Sequence, residues 1–309
     1  MTQFITPPPL VRASAPFSTL LAELGPLADL VGTWAGSGFT LTSLPLFTDQ
    51  NSFQLKLNAT YEHLTFTPIA APIPDRGFSQ PDIFYVGLQY SQQVSDLNTQ
   101  EALHVESGLW LNVPPTTSPP EGSTLVRLGT IPHGNSLLAQ GVSSSISGPP
   151  TIDSTSKMSI PFTLDNDGHR IPVTDGTYLD PFNTVPPRSI PPGSIDNPNV
   201  VLTDRLQNNL NQGFDVVSTV ELFVNAQPVG GINGTPISPQ PENVGGIVNI
   251  PFITANANAI SFSALFWIEN VSFKNGPPTI LQLQYTQTTL LFFEELFWPH
   301  ISVATLLKQ

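Results

Sequence analysis

Gly32-Thr33-Trp34-Ala35-Gly36-Ser37-Gly38 opens the strand pattern of this chain, and Trp298-Pro299-His300 followed by Ile301 to Gln309 closes it. The first stretch reads as a glycine-rich strand carrying one large aromatic. The second reads as a histidine set by a proline just before a closing strand. The first and last strands of a β-barrel are neighbours, so the two segments are expected to face one cavity.

Alternation fills the interval between them. Phe53, Leu55, Leu57, Ala59 and Tyr61 alternate with Gln54, Lys56, Asn58, Thr60 and Glu62, a period of two. Phe214 to Val224, Ile260 to Ile268 and Leu281 to Tyr285 repeat that pattern. Each describes a strand with one face in apolar surroundings and the other in a polar setting. Helix signals are few: Phe17 to Leu24, stopped by Gly25-Pro26, and a second helix capped by Thr203 with Leu202, Leu206 and Leu210 on one face and Gly213 at its end. Proline-rich segments at Pro114 to Pro120, Pro181 to Pro198 and Pro228 to Pro241 read as excursions or linkers between strands. The expected fold is all-β: a closed antiparallel calycin (lipocalin-like) β-barrel, with long Pro-rich loops and one or two short helices.

Composition removes several function classes. With 10 Lys and Arg against 23 Asp and Glu, net charge is −13, so neither the phosphates of nucleic acid nor an anionic membrane surface finds a basic partner. Charged residues make up only 11% of the chain, yet no apolar run reaches the length of a spanning helix. The absence of cysteine removes disulfides, thiolate nucleophiles and Cys-ligated metal. Met1 to Pro16 lacks a continuous apolar stretch and does not read as a secretory signal, so a cytoplasmic location is expected.

The chemistry rests on few residues. His300 follows a proline that fixes φ, which gives its ring a defined direction; such a residue is either a partly buried histidine at a strand start or a metal or haem-iron ligand. His104 and Glu106 are two apart on a strand and share a face: an internal network if inward, a solvated pair if outward. His133 lies in a Pro-His-Gly turn, at its tip or on the rim of a pocket. Asp165-Asn166-Asp167-Gly168-His169 starts like a calcium loop, but no Glu closes it, and it reads as a tight turn.

Four segments together resemble the nitrobindins, small β-barrels of the fatty-acid-binding and lipocalin type that hold ferric haem. Gly32 to Gly38 is similar to that family's opening Gly-x-Trp-x-Gly-x-Gly strand, and His104-Val105-Glu106-Ser107-Gly108 to its His-x-Glu-x-Gly strand. Val126 to Gly141 resembles the next strand pair, and Pro299-His300 with Ala304 to Lys308 the segment holding the proximal haem histidine. The likeness covers Pro26 to Gly38, Leu103 to Gly141 and Ile280 to Gln309. The chain is about twice the size of a small ten-stranded barrel. Residues 17–309 are therefore read as one barrel domain after an N-terminal extension (1–16), with insertions around 142–213 and 226–248 that cover or fill the cavity.

The resemblance implies haem b as cofactor, His300 as axial ligand to its iron, and chemistry on nitric oxide or peroxynitrite. His133 and His104 are further candidate contacts, and Trp34 is read as a structural plug beneath the site. The competing reading is a haem-free carrier or pocket enzyme for a small hydrophobic ligand.

Overall fold

The computed structural model describes residues 17–47, 53–173, 190–226, 245–273 and 276–309. The proline-rich stretch Pro228 to Pro241, the N-terminal extension and part of Pro181 to Pro198 lie outside them. In chain order the strands are β1 (Gly32–Pro45), β2 (Phe53–Pro68), β3 (Ile73–Asp75), β4 (Ile83–Asp96), β5 (Ala102–Val113), β6 (Thr116–Thr117), β7 (Pro120–Glu121) and β8 (Thr124–Ile131). They continue as β9 (Asn135–Ser147), β10 (Phe162–Leu164), β11 (Arg170–Pro172), β12 (Phe214–Ala226), β13 (Gly246–Asn249), β14 (Asn258–Phe273), β15 (Gly276–Phe293) and β16 (Leu296–Lys308). Three α-helices accompany them, α1 (Phe17–Leu24), α2 (Val200–Asn211) and α3 (Pro251–Asn256), with a 3-10 segment at Gly25–Leu30.

Ten strands form the barrel wall in the order β1-β2-β4-β5-β8-β9-β12-β14-β15-β16, and β16 pairs back onto β1 to close it. Every wall pairing is antiparallel and each strand lies beside its successor in that series, the arrangement of an up-and-down calycin-like barrel. The closing seam runs from Trp34 opposite Lys308 to Leu41 opposite Ile301. Closure removes both edges of a long sheet, which would otherwise expose unpaired backbone groups.

Glycine makes the seam possible. A Cβ at Gly36 would lie 2.1 Å from the Thr305 carbonyl oxygen, and one at Gly38 would lie 2.2 Å from that of Val303. The two backbones approach so closely only because both side chains are missing.

The helical start of the chain plugs one end. Leu24, Leu27 and Leu30 are fully buried against Trp34, whose Nε1 donates to the Leu30 carbonyl at 2.7 Å. Above this plug the interior packs Leu64, Phe66, Leu88, Trp110, Leu222, Phe266, Leu283 and Leu306 into one apolar cluster.

A second cluster lies on the outside. Phe39, Leu41, Leu55, Trp267, Ile301 and Val303 alternate with the inward residues, and Leu202 of α2 packs against them with Ile152, Met158 and Ile195. The described residues between β9 and β12 thus cover the outer wall instead of the lumen.

Three details depart from the sequence reading. Thr203 does not cap α2: the cap position is Asn199, and the Thr203 hydroxyl sits inside the first turn, donating back to the Val200 carbonyl at 3.2 Å. Among the described residues there are three α-helices where one or two were expected; α3, at six residues, is too short to show a period. His300 stands within β16, not before it: the strand begins four residues earlier at Leu296, and its pairing with β15 runs through Pro299.

Candidate functional site

The end of the barrel opposite the plug is polar. Inward positions there are Thr40 and Thr42 on β1, His104 and Glu106 on β5, Arg127 on β8, Gln287 on β15, and His300 and Ser302 on β16. The Thr40 and Ser302 hydroxyls are 3.3 Å apart across the seam. One register step further, Thr42 Oγ1 lies 3.0 Å from His300 Nε2. His300 keeps some accessible surface although protein surrounds it, so that surface faces the lumen. Burial, aided by the nearby His104 and His133 rings, lowers its pKa to about 4, and the imidazole is neutral at physiological pH.

Beneath the mouth lies a buried ionic floor. Arg127 Nη2 donates to Glu106 Oε1 at 2.8 Å, Nε donates to the Tyr90 hydroxyl at 3.2 Å, and Nη1 to Gln287 Oε1 at 2.9 Å. Tyr90 in turn donates to Glu106. Burial alone would raise the Glu106 carboxyl; the Arg127 guanidinium, His104 and Tyr90 together outweigh it and hold it at about 2. The Arg127 cation is also enclosed by the rings of Tyr90, Trp110, Phe262 and Phe266 at 5.2–5.7 Å.

A second carboxylate, Glu62, faces the same interior. Its Oε2 accepts from Tyr285 at 2.6 Å and from Gln92 at 3.2 Å. No cation pairs with it among the described residues, and burial raises its pKa, while the Tyr285 phenol is raised by burial and by Glu62 itself.

The structure brings three of the four sequence candidates together. His300 lines the lumen. His104 is one-quarter exposed, its Nε2 3.4 Å from Glu106 Oε2, so this pair belongs to the internal network and not to the solvated surface. His133 tips the β8–β9 turn, exposed, with its ring centre 6.2 Å from that of His104. Trp34 is at the plugged end, about 27 Å from Thr42 along β1 at roughly 3.4 Å per residue. Asp165, Asp167 and His169 sit at the surface, in the β10–β11 turn, where the Asp165 carboxylate accepts from the backbone N–H groups of Asp167 and His169. Glu294 and Glu295 form an exposed hairpin turn.

Sequence reasoning missed Thr42, Glu62, Tyr90, Gln92, Arg127 and Tyr285. One signal was present: Arg127 interrupts Leu125-Val126-Arg127-Leu128 in a chain with only 10 basic residues. A charge inside an apolar strand points to a buried partner.

No family model matches the chain, and none of the curated proteins compared with it does. Among solved structures, the crystal structure of Rv2717c from M. tuberculosis is similar at a TM-score of 0.42 and 13% sequence identity, over 93% of this chain and 97% of that one.

Proposed function

We propose that the open end of the barrel binds a small molecule anchored by His300, and that this ligand is a ferric haem b whose iron takes His300 as axial ligand. The observation that supports this reading is the state of His300: a neutral imidazole facing the lumen, with one nitrogen held by Thr42 and the other uncommitted among the described residues. A metal bond needs that neutral lone pair, and ligating histidines characteristically have the second nitrogen oriented by a neighbour. The donor therefore fits the group. When bound, ferric iron supplies Lewis-acid and one-electron chemistry toward nitric oxide or peroxynitrite, as the nitrobindin resemblance implies.

The chain's own contribution is positional. Thr42 fixes the ring plane, and burial keeps the imidazole unprotonated. His104 and His133 stand at the same mouth as polar contacts. Arg127 is already neutralised by Glu106 and offers no free charge to a propionate.

The lining favours a second reading, a haem-free carrier. Thr40, Thr42, Gln287, Thr289 and Ser302 are partly exposed at the mouth and supply hydroxyls and amides suited to a ligand with an apolar body and a hydrogen-bonding head. Hemin titration of wild type and His300→Ala separates the two. A Soret band in wild type that shifts or is lost in the variant supports axial ligation; no band, or identical bands, removes the haem reading. Solvent extraction with mass spectrometry then tests the carrier, and repeated recovery of no small molecule counts against it.

A further inference from the structure

We propose that His104 and His133 form a binding site for a divalent ion of the zinc, copper and nickel class at the mouth of the barrel. Its two ligands are distinct from His300.

The spacing comes first. Two imidazoles bonded at about 2.0–2.1 Å to one tetrahedral ion have ring centres about 5 Å apart, and only a linear pair reaches about 6.4 Å. The His104 and His133 centres are 6.2 Å apart with the planes tilted by 39°, so a rotation of the exposed His133 side chain that closes them by about 1 Å completes the pair. Imidazole pairs suit late first-row divalent ions over magnesium or calcium, which take oxygen ligands.

The orientation of His104 comes second. Its Nε2 lies 3.4 Å from Glu106 Oε2, and Glu106 is itself fixed by Arg127 and Tyr90. A carboxylate behind one ring nitrogen orients the ring and makes the other nitrogen a better donor, the arrangement found around ligating histidines. Arg127 and Tyr90 occupy Glu106 Oε1, so the carboxylate turns only Oε2 toward His104 and leaves the ion to the imidazoles.

The presentation of His133 comes third. Neither of its ring nitrogens has a hydrogen-bond partner among the described residues, which leaves a lone pair available. Its turn is rigid. Gly134 N–H donates to the Ile131 carbonyl at 3.0 Å, the Gly134 carbonyl accepts from Ile250 at 2.9 Å, and Asn135 bonds to Asn249. Both rings are reachable from solvent, so an ion enters from the mouth and water completes its coordination. No third protein ligand converges with these two to within 4.8 Å among the described residues. The site is therefore bidentate from the protein, with open positions toward the lumen. The net charge of −13 favours cation approach.

The test is zinc titration by calorimetry on haem-free full-length protein at neutral pH, for wild type and four variants. His133→Ala alters an exposed turn side chain and is checked by circular dichroism for an unchanged fold. Wild type should bind one zinc ion, and His133→Ala and His104→Ala should each weaken it by about tenfold or more. His169→Ala, which dismantles the surface Asp165–Asp167–His169 group, should bind as wild type, and so should His300→Ala. Wild-type affinity in His133→Ala overturns the proposal, as does the absence of zinc binding in wild type. Loss in His300→Ala also overturns it, because the ion would then belong to the axial-ligand position. The haem reading stands or falls separately, on the Soret band of His300→Ala.

Discussion

Thr42 Oγ1 and His300 Nε2 are 3.0 Å apart although 258 positions separate the two residues. The contact exists because the barrel closes: β1 and β16 are neighbours only at the seam, and Thr42 lies one pair beyond the last seam pair, Leu41 with Ile301. The first strand thus sets the ring orientation of a histidine on the last.

Thr42→Val removes the hydroxyl and keeps the shape. Hemin affinity should fall by about 10–100-fold, the usual effect of deleting a partner of a ligating histidine, while Thr42→Ser restores most of it. Hemin titrations of the three proteins check this; equal affinities would show that Thr42 does not hold the ring in the bound state.

The seam itself gives a stability prediction. Gly36→Ala places a methyl group 2.1 Å from the Thr305 carbonyl oxygen and 2.8 Å from the Leu306 Cα, and backbone cannot swing aside as a side chain can. Overpacking of this kind costs about 1–3 kcal/mol or more. Gly122→Ala, with nothing within 4 Å of the added methyl, should stay within about 0.5 kcal/mol of wild type. Urea midpoints of the two variants make the comparison, and a neutral Gly36→Ala would contradict the close approach.

Strand existence was legible because alternation is local; the direction of each face was not. On β14, Phe262, Ala264, Phe266 and Ile268 face inward as an apolar stripe suggests. On β2 the relation is reversed: Leu55 faces the outer wall beneath the α2 segment, while Thr60 and Glu62 look into the barrel. Both faces of that wall are covered, so the polar face need not be the wet one. The contact between the second buried carboxylate and its phenol was illegible because it is long-range. Glu62 and Tyr285 are 223 residues apart, and only closure brings them together. His104 and Glu106 were legible as a pair because two-residue spacing fixes their common side, but inward or outward depended on what lay across the lumen.

The Arg127–Glu106 pair should be costly to break and cheap to replace whole. Both side chains are at most 1% exposed, so Arg127→Met leaves a buried carboxylate with no cation and should cost about 3–5 kcal/mol. Adding Glu106→Leu to it should recover much of that loss. In wild type the Glu106 pKa is depressed from 4.5 to about 2, so its contribution is present above about pH 4.5 and is lost as pH falls toward 2. Chemical denaturation between neutral pH and pH 3 should show this decline, and the double variant should show less of it.

Glu269 should act with the opposite sign. It lies fully buried on the outer wall of β14 opposite Gln282 of β15, which donates to one carboxylate oxygen and accepts from Asn209 of α2 at 2.9 Å. Its other oxygen has no partner, and burial raises its pKa from 4.5 to about 8 against the Gln282 hydrogen bond. A raised folded-state pKa means that the folded protein keeps a proton the unfolded chain has released. The contribution is then complete below about pH 4.5 and is lost as pH rises from there toward 8. Glu269→Gln keeps the size and removes the ionisation. It should be more stable than wild type above pH 8 by a few kcal/mol, and its stability should decline less between pH 5 and pH 8. Parallel pH–stability curves for the two proteins would mean that Glu269 ionises as freely in the fold as in water, and that α2 does not seal it.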